Sequence, residues 1–148
     1  MSAIGIDQAL LYLRVDDQIS QEQEMELQSM IDASETFIGR KTGYWLTDKD
    51  RTYFPDPDGY IRVYDTPIQD DLSTYDYEHK NGYVVIRSSE MITLCVGYKS
   101  PTEIPQDLIN ACLQMLKVWY YESEKQVNTS LIPEAVRQVI WNRKRFII

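Results

Sequence analysis

The sequence has few of the side chains on which most catalytic and metal sites depend. Among its 148 residues there is one histidine, His79, and there are two cysteines, Cys95 and Cys112. His79 stands between Glu78 and Lys80 in a polar segment, without the further partners that a zinc site or a Ser-His-Asp triad requires. Glycine-rich phosphate loops and the motifs Gly-x-Ser-x-Gly and Cys-x-x-Cys are also missing. We therefore expect no enzyme activity, no metal and no cofactor.

Long apolar runs are missing as well. No stretch approaches the roughly 20 residues needed to span a bilayer, and the segment Met1–Gly5 does not have the pattern of a signal peptide. Cys95 and Cys112 lie in apolar stretches, so buried thiols are expected, with a disulfide as the alternative. The expected compartment is the cytoplasm, without membrane contact.

Positive charge is scarce, since 15 basic side chains stand against 23 acidic ones, for a net charge of −8. Residues 1–42 hold eight acids and three bases, residues 43–104 eleven and six, and residues 105–136 four and two. Residues 137–148 reverse the sign to +4. Because an acidic body cannot neutralise phosphates, we expect the folded domain not to bind DNA specifically.

The first third of the chain has a helical pattern. A short helix is predicted over Asp7–Val15, and Ser20 then opens a longer helix as its N-cap, with Gln23 completing a capping box. Gly43 is a typical stop for this helix. The buried stripe predicted for it consists of Leu27, Met30, Ile31, Ser34, Phe37 and Ile38.

From Tyr44 to Gly97 the apolar period changes from helical to two, which predicts strands. The dipeptide Asn81-Gly82 is a strong hairpin signal, and Pro55–Gly59 is a turn by composition. The predicted strands are Arg51–Phe54, Tyr60–Tyr64, Leu72–Tyr77, Tyr83–Arg87 and Met91–Val96.

Helices return after Pro105, where an apolar stripe runs to about Glu124, and again after Pro133. The predicted fold is α+β and mainly α, a bundle of about four helices with a small antiparallel β-hairpin subdomain inserted between helices two and three. We expect one domain over residues 1–148. Its predicted parts are N-terminal helices (1–43), the β insert (44–100), C-terminal helices (101–142) and a tail (143–148).

This order of elements resembles the head-to-tail connector (adaptor, or head-completion) family of tailed bacteriophages. The resemblance covers nearly the whole chain, and its most specific part is a helix that begins with Ile104–Leu108 and ends with Trp119–Glu122. The chain departs from the family pattern at Ser123-Glu124, where Asn-Arg often follows. The other matching segments are Tyr12–Val15, Thr42-Gly43, Ile61–Val63, Thr66–Ile68, Tyr75–Tyr77 and Val96–Tyr98.

The resemblance implies a structural protein of the virion neck that assembles as a ring, usually a dodecamer, beneath the portal. Such a ring extends the DNA channel, helps to retain packaged DNA and joins the head to a tail-side stopper. Portal, stopper and further copies of the chain are the implied partners. DNA passes through the ring without being bound specifically, and assembly takes place in the host cytoplasm.

The end of the chain is the predicted portal-docking segment. Phe146, Ile147 and Ile148 are an apolar end with no following chain to cover them, which favours docking over a frayed basic terminus. Family members engage the portal with their C-terminal segment, as the resemblance implies. The predicted docking residues are Arg137, Arg143, Lys144, Arg145, Phe146, Ile147 and Ile148.

The long helix carries an acidic face that has two interpretations. It is either a solvated face or a surface that lines the channel or contacts a neighbouring subunit. The acids concerned are Glu22, Glu24, Glu26, Asp32 and Glu35. Two other functions stay open, namely another neck or tail-completion protein of the virion, and a small acidic regulatory module that mimics DNA.

Overall fold

The computed structural model describes residues 2–15, 18–125 and 132–143, with the backbone alone for residues 122–125. Within these ranges the helices are α1 (Ile6–Leu13), α2 (Gln21–Thr42), α3 (Gln106–Lys125) and α4 (Glu134–Arg143). The strands are β1 (Lys49–Tyr53), β2 (Tyr60–Val63), β3 (Asp76–Lys80), β4 (Tyr83–Arg87) and β5 (Ile92–Val96). These helices and the small antiparallel sheets confirm the predicted α+β class.

Both ends of α2 are formed by the residues that the sequence predicted. The Ser20 hydroxyl accepts a hydrogen bond from the Gln23 N–H at 3.2 Å, and the Gln23 side chain accepts one from the Ser20 N–H at 2.9 Å. This capping box satisfies two backbone donors that a helix start leaves without partners. At the other end Gly43 adopts a φ of 81°, and its N–H donates to the Gly39 carbonyl at 2.8 Å.

The helices share one apolar core, which α2 and α3 dominate. Helix α1 lies against both of them, and α4 contributes the fully buried Val136. Each helix offers one apolar stripe, so burying four stripes against one another removes them from water. The buried members from α2 and α3 are Leu27, Ile31, Ile38, Leu108, Ala111, Cys112, Leu113, Met115 and Leu116.

The strands form two sheets, and their pairing differs from the order of the predicted strands. Strand β1 pairs with β5 from Lys49↔Val96 to Tyr53↔Ile92, although β2 is its neighbour in sequence. Strands β2, β4 and β3 form the second sheet. In this arrangement β2 and β4 bury Ile61, Val63, Val84 and Ile86, while β5 buries Ile92, Leu94 and Val96.

The predicted strand Leu72–Tyr77 is wrong in position. Strand β3 spans Asp76–Lys80 and pairs with β4 so that Asn81 and Gly82 alone join the two strands. Leu72 instead belongs to the apolar core beneath the sheets. The dipeptide signal was therefore a better guide than the apolar residues that precede it, because every side chain of β3 is exposed.

Glu35 corrects the predicted acidic face of the long helix. Its side chain turns into the protein, with the residue 8% exposed. One carboxylate oxygen accepts hydrogen bonds from the backbone N–H groups of Ala3 at 2.6 Å and Ile4 at 3.0 Å. The carboxylate thus ties the start of the chain to α2 and is not available to line a channel or contact a partner.

Burial raises the pKa of Glu35 to about 7, against the two backbone hydrogen bonds, which lower it. The unfolded chain releases this proton near a pH of about 4.3. Between these values the folded state holds more protons than the unfolded state, so the free energy of unfolding falls as pH rises through this window.

We expect Glu35→Gln to remove this slope, because the amide oxygen still accepts hydrogen bonds but does not titrate. Relative to the variant, the wild type should lose on the order of 1–3 kcal/mol between about pH 4.5 and pH 8. Urea unfolding across this range measures the difference. Glu22→Gln, the same change at an exposed position, should keep the slope, and a difference that does not vary with pH would contradict the assignment.

Candidate assembly surfaces

The exposed side of the first half of α2 carries an acidic surface. Residues 21–32 contain no base, and every residue of Gln21–Glu26 is exposed, so the start of the helix stands clear of the core. The exposed acids are Glu22, Glu24, Glu26 and Asp32. Asp32 accepts hydrogen bonds from the Ser2 hydroxyl at 2.8 Å and from the Gln28 amide at 3.1 Å. Within the described ranges the three glutamates have no ion-pair partner.

A surface of opposite charge lies at the other end of α2. It is an open groove of about 470 Å³ between the end of α2, strand β1 and the segment that follows β2. Among the described residues, Asp65 is its one acidic lining residue. Its basic lining residues are Arg40, Lys41, Lys49 and Arg51. We call it the basic groove, and with four bases against one acid it carries excess positive charge in a protein of net charge −8.

Trp45 holds the basic groove in shape. Its ring lies on α2 at Gly39, where a Cβ atom would come within 2.9 Å of three ring carbons. Its indole N–H donates to Asp65 at 2.6 Å, and the Lys49 ammonium lies 3.3 Å from the centre of its ring. A cation over an aromatic face is attracted by the ring quadrupole. The indole therefore connects α2, β1 and Asp65.

Asp65 is committed to contacts inside the protein. Besides Trp45, it accepts hydrogen bonds from Arg51 at 3.0 Å and from the Tyr53 hydroxyl at 2.5 Å. Burial, together with the hydrogen bond to Asp65, raises the pKa of Tyr53, so this phenol stays a donor. Asp65 thus pairs with Arg51, and its negative charge also acts on Lys49. Among the described residues, no carboxylate forms an ion pair with Arg40, Lys41 or Lys49.

The positive charges that line the basic groove repel one another. Burial lowers the pKa of the Lys49 ammonium, and the positive charges of Arg51 and Arg40 lower it further, whereas the negative charge of Asp65 raises it. A group that is destabilised by neighbouring positive charge gains when an anion approaches. The basic groove is consequently suited to carboxylates or phosphates.

A second groove of about 660 Å³ adjoins the basic groove and shares Arg40 and Lys41 with it. Phe37 and Trp119 form its aromatic floor, with ring centres 5.8 Å apart and an interplanar angle of 84°. We call it the aromatic groove. Asp32 also lines it, so its charged lining residues are two bases and one acid. Together the two grooves offer apolar surface beside surface with an excess of positive charge.

The start of the predicted docking tail belongs to the folded part of the chain. Arg143 closes α4 and donates two hydrogen bonds to Asp107 at the start of α3, at 2.9 and 2.7 Å. Its guanidinium also lies over the Tyr44 ring. The hydrogen bonds from Arg143, together with its positive charge, lower the pKa of the Asp107 carboxyl. The predicted boundary at residue 143 is therefore one residue too early, and Lys144–Ile148 lie outside the described residues, whereas Arg137 is exposed on α4.

The described residues contain no cluster of side chains that could hold a metal ion. His79 is exposed on β3 with its ring edge against Tyr77. Both cysteines are free thiols, and burial raises the pKa of Cys112, which lies between the helices. Among the described helices, none is both long and apolar enough to cross a bilayer.

The basic groove was not predicted from the sequence. Arg40 and Lys41 have an ordinary explanation at the end of a helix, where positive charge offsets the helix dipole. Lys49 and Arg51 alternate along one strand and so share a face of it. That pattern was available, but the packing of Trp45 on Gly39 is what brings the two pairs together.

No family model matches this chain, and no curated protein matches it. Solved structures do. A chain in the neck of an empty gene transfer agent (GTA) particle, computed with C6 symmetry, aligns with a TM-score of 0.72 at 14% identity, over 99% of this chain and 91% of that one. A chain of the native GTA virion aligns over the same shares with a TM-score of 0.72 at 15% identity. The expected likeness to a phage-type neck protein is thereby confirmed at the level of the fold.

We expect Gly39→Ala to destabilise the protein by about 1–3 kcal/mol, because the new methyl group displaces the Trp45 ring. This cost should outweigh the gain of about 1 kcal/mol that alanine brings to a helix interior. In a Trp45→Ala background the same substitution should be neutral or stabilising. Urea unfolding of the four proteins measures the coupling, and an equal cost in both backgrounds would show that Trp45 is not its cause.

Proposed function

We propose that this chain is a structural subunit of the neck of a tailed phage or a related particle. The observation that carries the proposal is the common fold with a neck chain, which extends over nearly the whole of both proteins. A partial match would be compatible with a shared substructure alone. A match of this extent includes the helical bundle and both sheets, which together position the acidic surface and the basic groove.

In finer detail, we propose that copies of the chain form a closed ring beneath the portal, extend the DNA channel and help to retain packaged DNA. The tail-side stopper would attach to the opposite side of the ring. A negatively charged wall suits a DNA conduit, since repulsion keeps the duplex from adhering during passage. The exposed acids of α2 either line this channel or contact the next subunit, and Glu35 takes no part.

The test is to mix the protein with the portal of the same particle and record native mass spectra. The expected product is a portal with one complete set of subunits and cyclic symmetry, because a heterologous interface whose rotation closes forms a ring. Random or open-ended occupancy would contradict the proposal. Competition with DNA for a basic partner, without addition to the portal, would instead identify a DNA mimic.

We further propose that the segment from Lys144 onward docks on the portal. Lys144 and Arg145 would meet acidic groups at the rim of the contact, while Phe146, Ile147 and Ile148 fill an apolar groove. Rim charges mainly set the rate of encounter, whereas buried apolar side chains slow dissociation. Arg143 is excluded from this role because Asp107 already holds its guanidinium. Arg137 is the next candidate, since it is exposed on the same helix.

Deleting residues 144–148 should leave the thermal midpoint unchanged and abolish portal docking. The double charge reversal Lys144→Glu and Arg145→Glu should mainly slow association. Arg143→Ala serves as the matched control. It removes a partly exposed ion pair, so it should lower the free energy of unfolding by about 0.5–1 kcal/mol and leave docking in place. Pull-down and association-rate measurements with the portal test these expectations. Full docking of the truncated protein would place the docking surface elsewhere.

A further inference from the structure

The exposed start of α2 has a regular arrangement of acidic and apolar side chains. Glu22, Met25 and Glu26 are spaced three and four residues apart, so they lie on one face of the helix. Met25 is 67% exposed, although it is a large apolar side chain. The Met25 side chain is unbranched and polarizable, so it packs well against an irregular aromatic surface. We call these three residues the acidic knob.

The opposite end of α2 repeats this spacing with the opposite charge. Phe37, Arg40 and Lys41 also lie three and four residues apart, between the aromatic groove and the basic groove. Lys41 lies 5.8 Å from the centre of the Phe37 ring. An aromatic ring followed by two cations is thus the counterpart of a methionine flanked by two anions.

The two surfaces cannot meet within one chain. From Glu26 to Arg40 the helix rises by about 21 Å, at 1.5 Å per residue. Both helix ends are capped, and residues 21–42 form one continuous helix without interruption. Each surface is therefore free to contact another molecule at the same time as the other.

We propose that the acidic knob of one copy of this chain docks into the basic and aromatic grooves of the next copy, head to tail. Glu22 and Glu26 then pair with Arg40, Lys41 and Lys49, while Met25 lies against Phe37 and Trp119. Contacts of this kind use two different faces of each subunit, which is what a closed ring requires. The inference rests on the proposed ring and names the surfaces that build it.

Charge complementarity selects a second copy over the other candidate occupants. The grooves are positive whereas the body around them is acidic, so an approaching copy is attracted at this place and repelled elsewhere. Duplex DNA would also bring anionic groups, but the acidic surface at the other end of α2 and the net charge of −8 oppose a long polyanion.

Zero-length cross-linking with a carbodiimide tests the contact directly, since this reagent joins a carboxylate to an amine. The full-length chain is mixed as equal parts unlabelled and ¹⁵N-labelled protein, so that links between copies have mixed isotopes. Links from Glu22 or Glu26 to Lys41 or Lys49 with mixed isotopes are expected, and their yield should fall as salt is added. Their absence at the highest attainable protein concentration overturns the proposal.

Exchanging the charges provides a second, independent test. Variant A carries Glu22→Lys and Glu26→Lys, and variant B carries Arg40→Glu and Lys41→Glu. Each alone should associate with itself at least about tenfold more weakly than the wild type, whereas an equal mixture should recover association as alternating A and B, because each reversed surface then meets its complement. A control with Asp76→Lys and Glu90→Lys changes the net charge as variant A does, at exposed positions on or near the second sheet, and should associate like the wild type.

The remaining outcomes also decide. If the mixture of variants A and B associates as a two-fold dimer that buries both surfaces of each chain, the head-to-tail arrangement is wrong. Binding of duplex DNA that variant B loses, without links between copies, assigns the grooves to phosphate and overturns the proposal. If rings form on the portal from variant A or B alone, the inference fails while the proposed neck function stands. If links form but no ring adds to the portal, the contact stands and the neck function fails.

Discussion

The contact between the Trp45 ring and Gly39 joins the two halves of this fold. One apolar core lies among the helices and the other beneath the sheets, and Trp45 belongs to the second while it rests on a helix of the first. Its backbone is held on both sides, because its N–H donates to Thr66 and its carbonyl accepts from Tyr98. The indole N–H adds the link to Asp65. Trp45 is thus held by hydrogen bonds of its backbone, by the contact of its ring with α2 and by the carboxylate of Asp65.

The position of the basic groove depends on this contact between Trp45 and Gly39. Arg40 and Lys41 come from α2, whereas Lys49 and Arg51 come from β1, and these elements belong to different cores. Only the close approach that a glycine permits at position 39 places the four cations around one opening. Substituting the glycine therefore affects charge arrangement as well as packing, since a shift of the indole moves Asp65 and the Lys49 ammonium with it.

Local signals were sufficient to predict the helices but not the sheet pairing. The capping box at Ser20, the stop at Gly43 and the turn at Asn81-Gly82 each depend on residues within four positions of one another, which is why the sequence reveals them. The pairing of β1 with β5 joins residues more than 38 positions apart and follows from the burial of three apolar side chains on β5. Glu35 was misassigned for the same reason, since its partners Ala3 and Ile4 lie more than 30 positions away. Glu22, Glu24, Glu26 and Asp32 are exposed, and their predicted role in a channel wall or a subunit contact stays a prediction, whereas the basic groove requires the folded structure.

Helix α2 runs without a break from the capping box to Gly43, and this continuity makes it a rigid spacer with a defined phase. Adding one residue to such a helix moves its ends apart by about 1.5 Å and also rotates them relative to each other by about 100°. The distance between surfaces at the two ends therefore cannot change by one residue without a change in their relative orientation. A change of about seven residues, close to two full turns, alters the separation while nearly restoring the relative orientation. For the head-to-tail contact proposed above, a change in the length of this helix is therefore expected in whole turns, because intermediate lengths rotate one surface away from its partner.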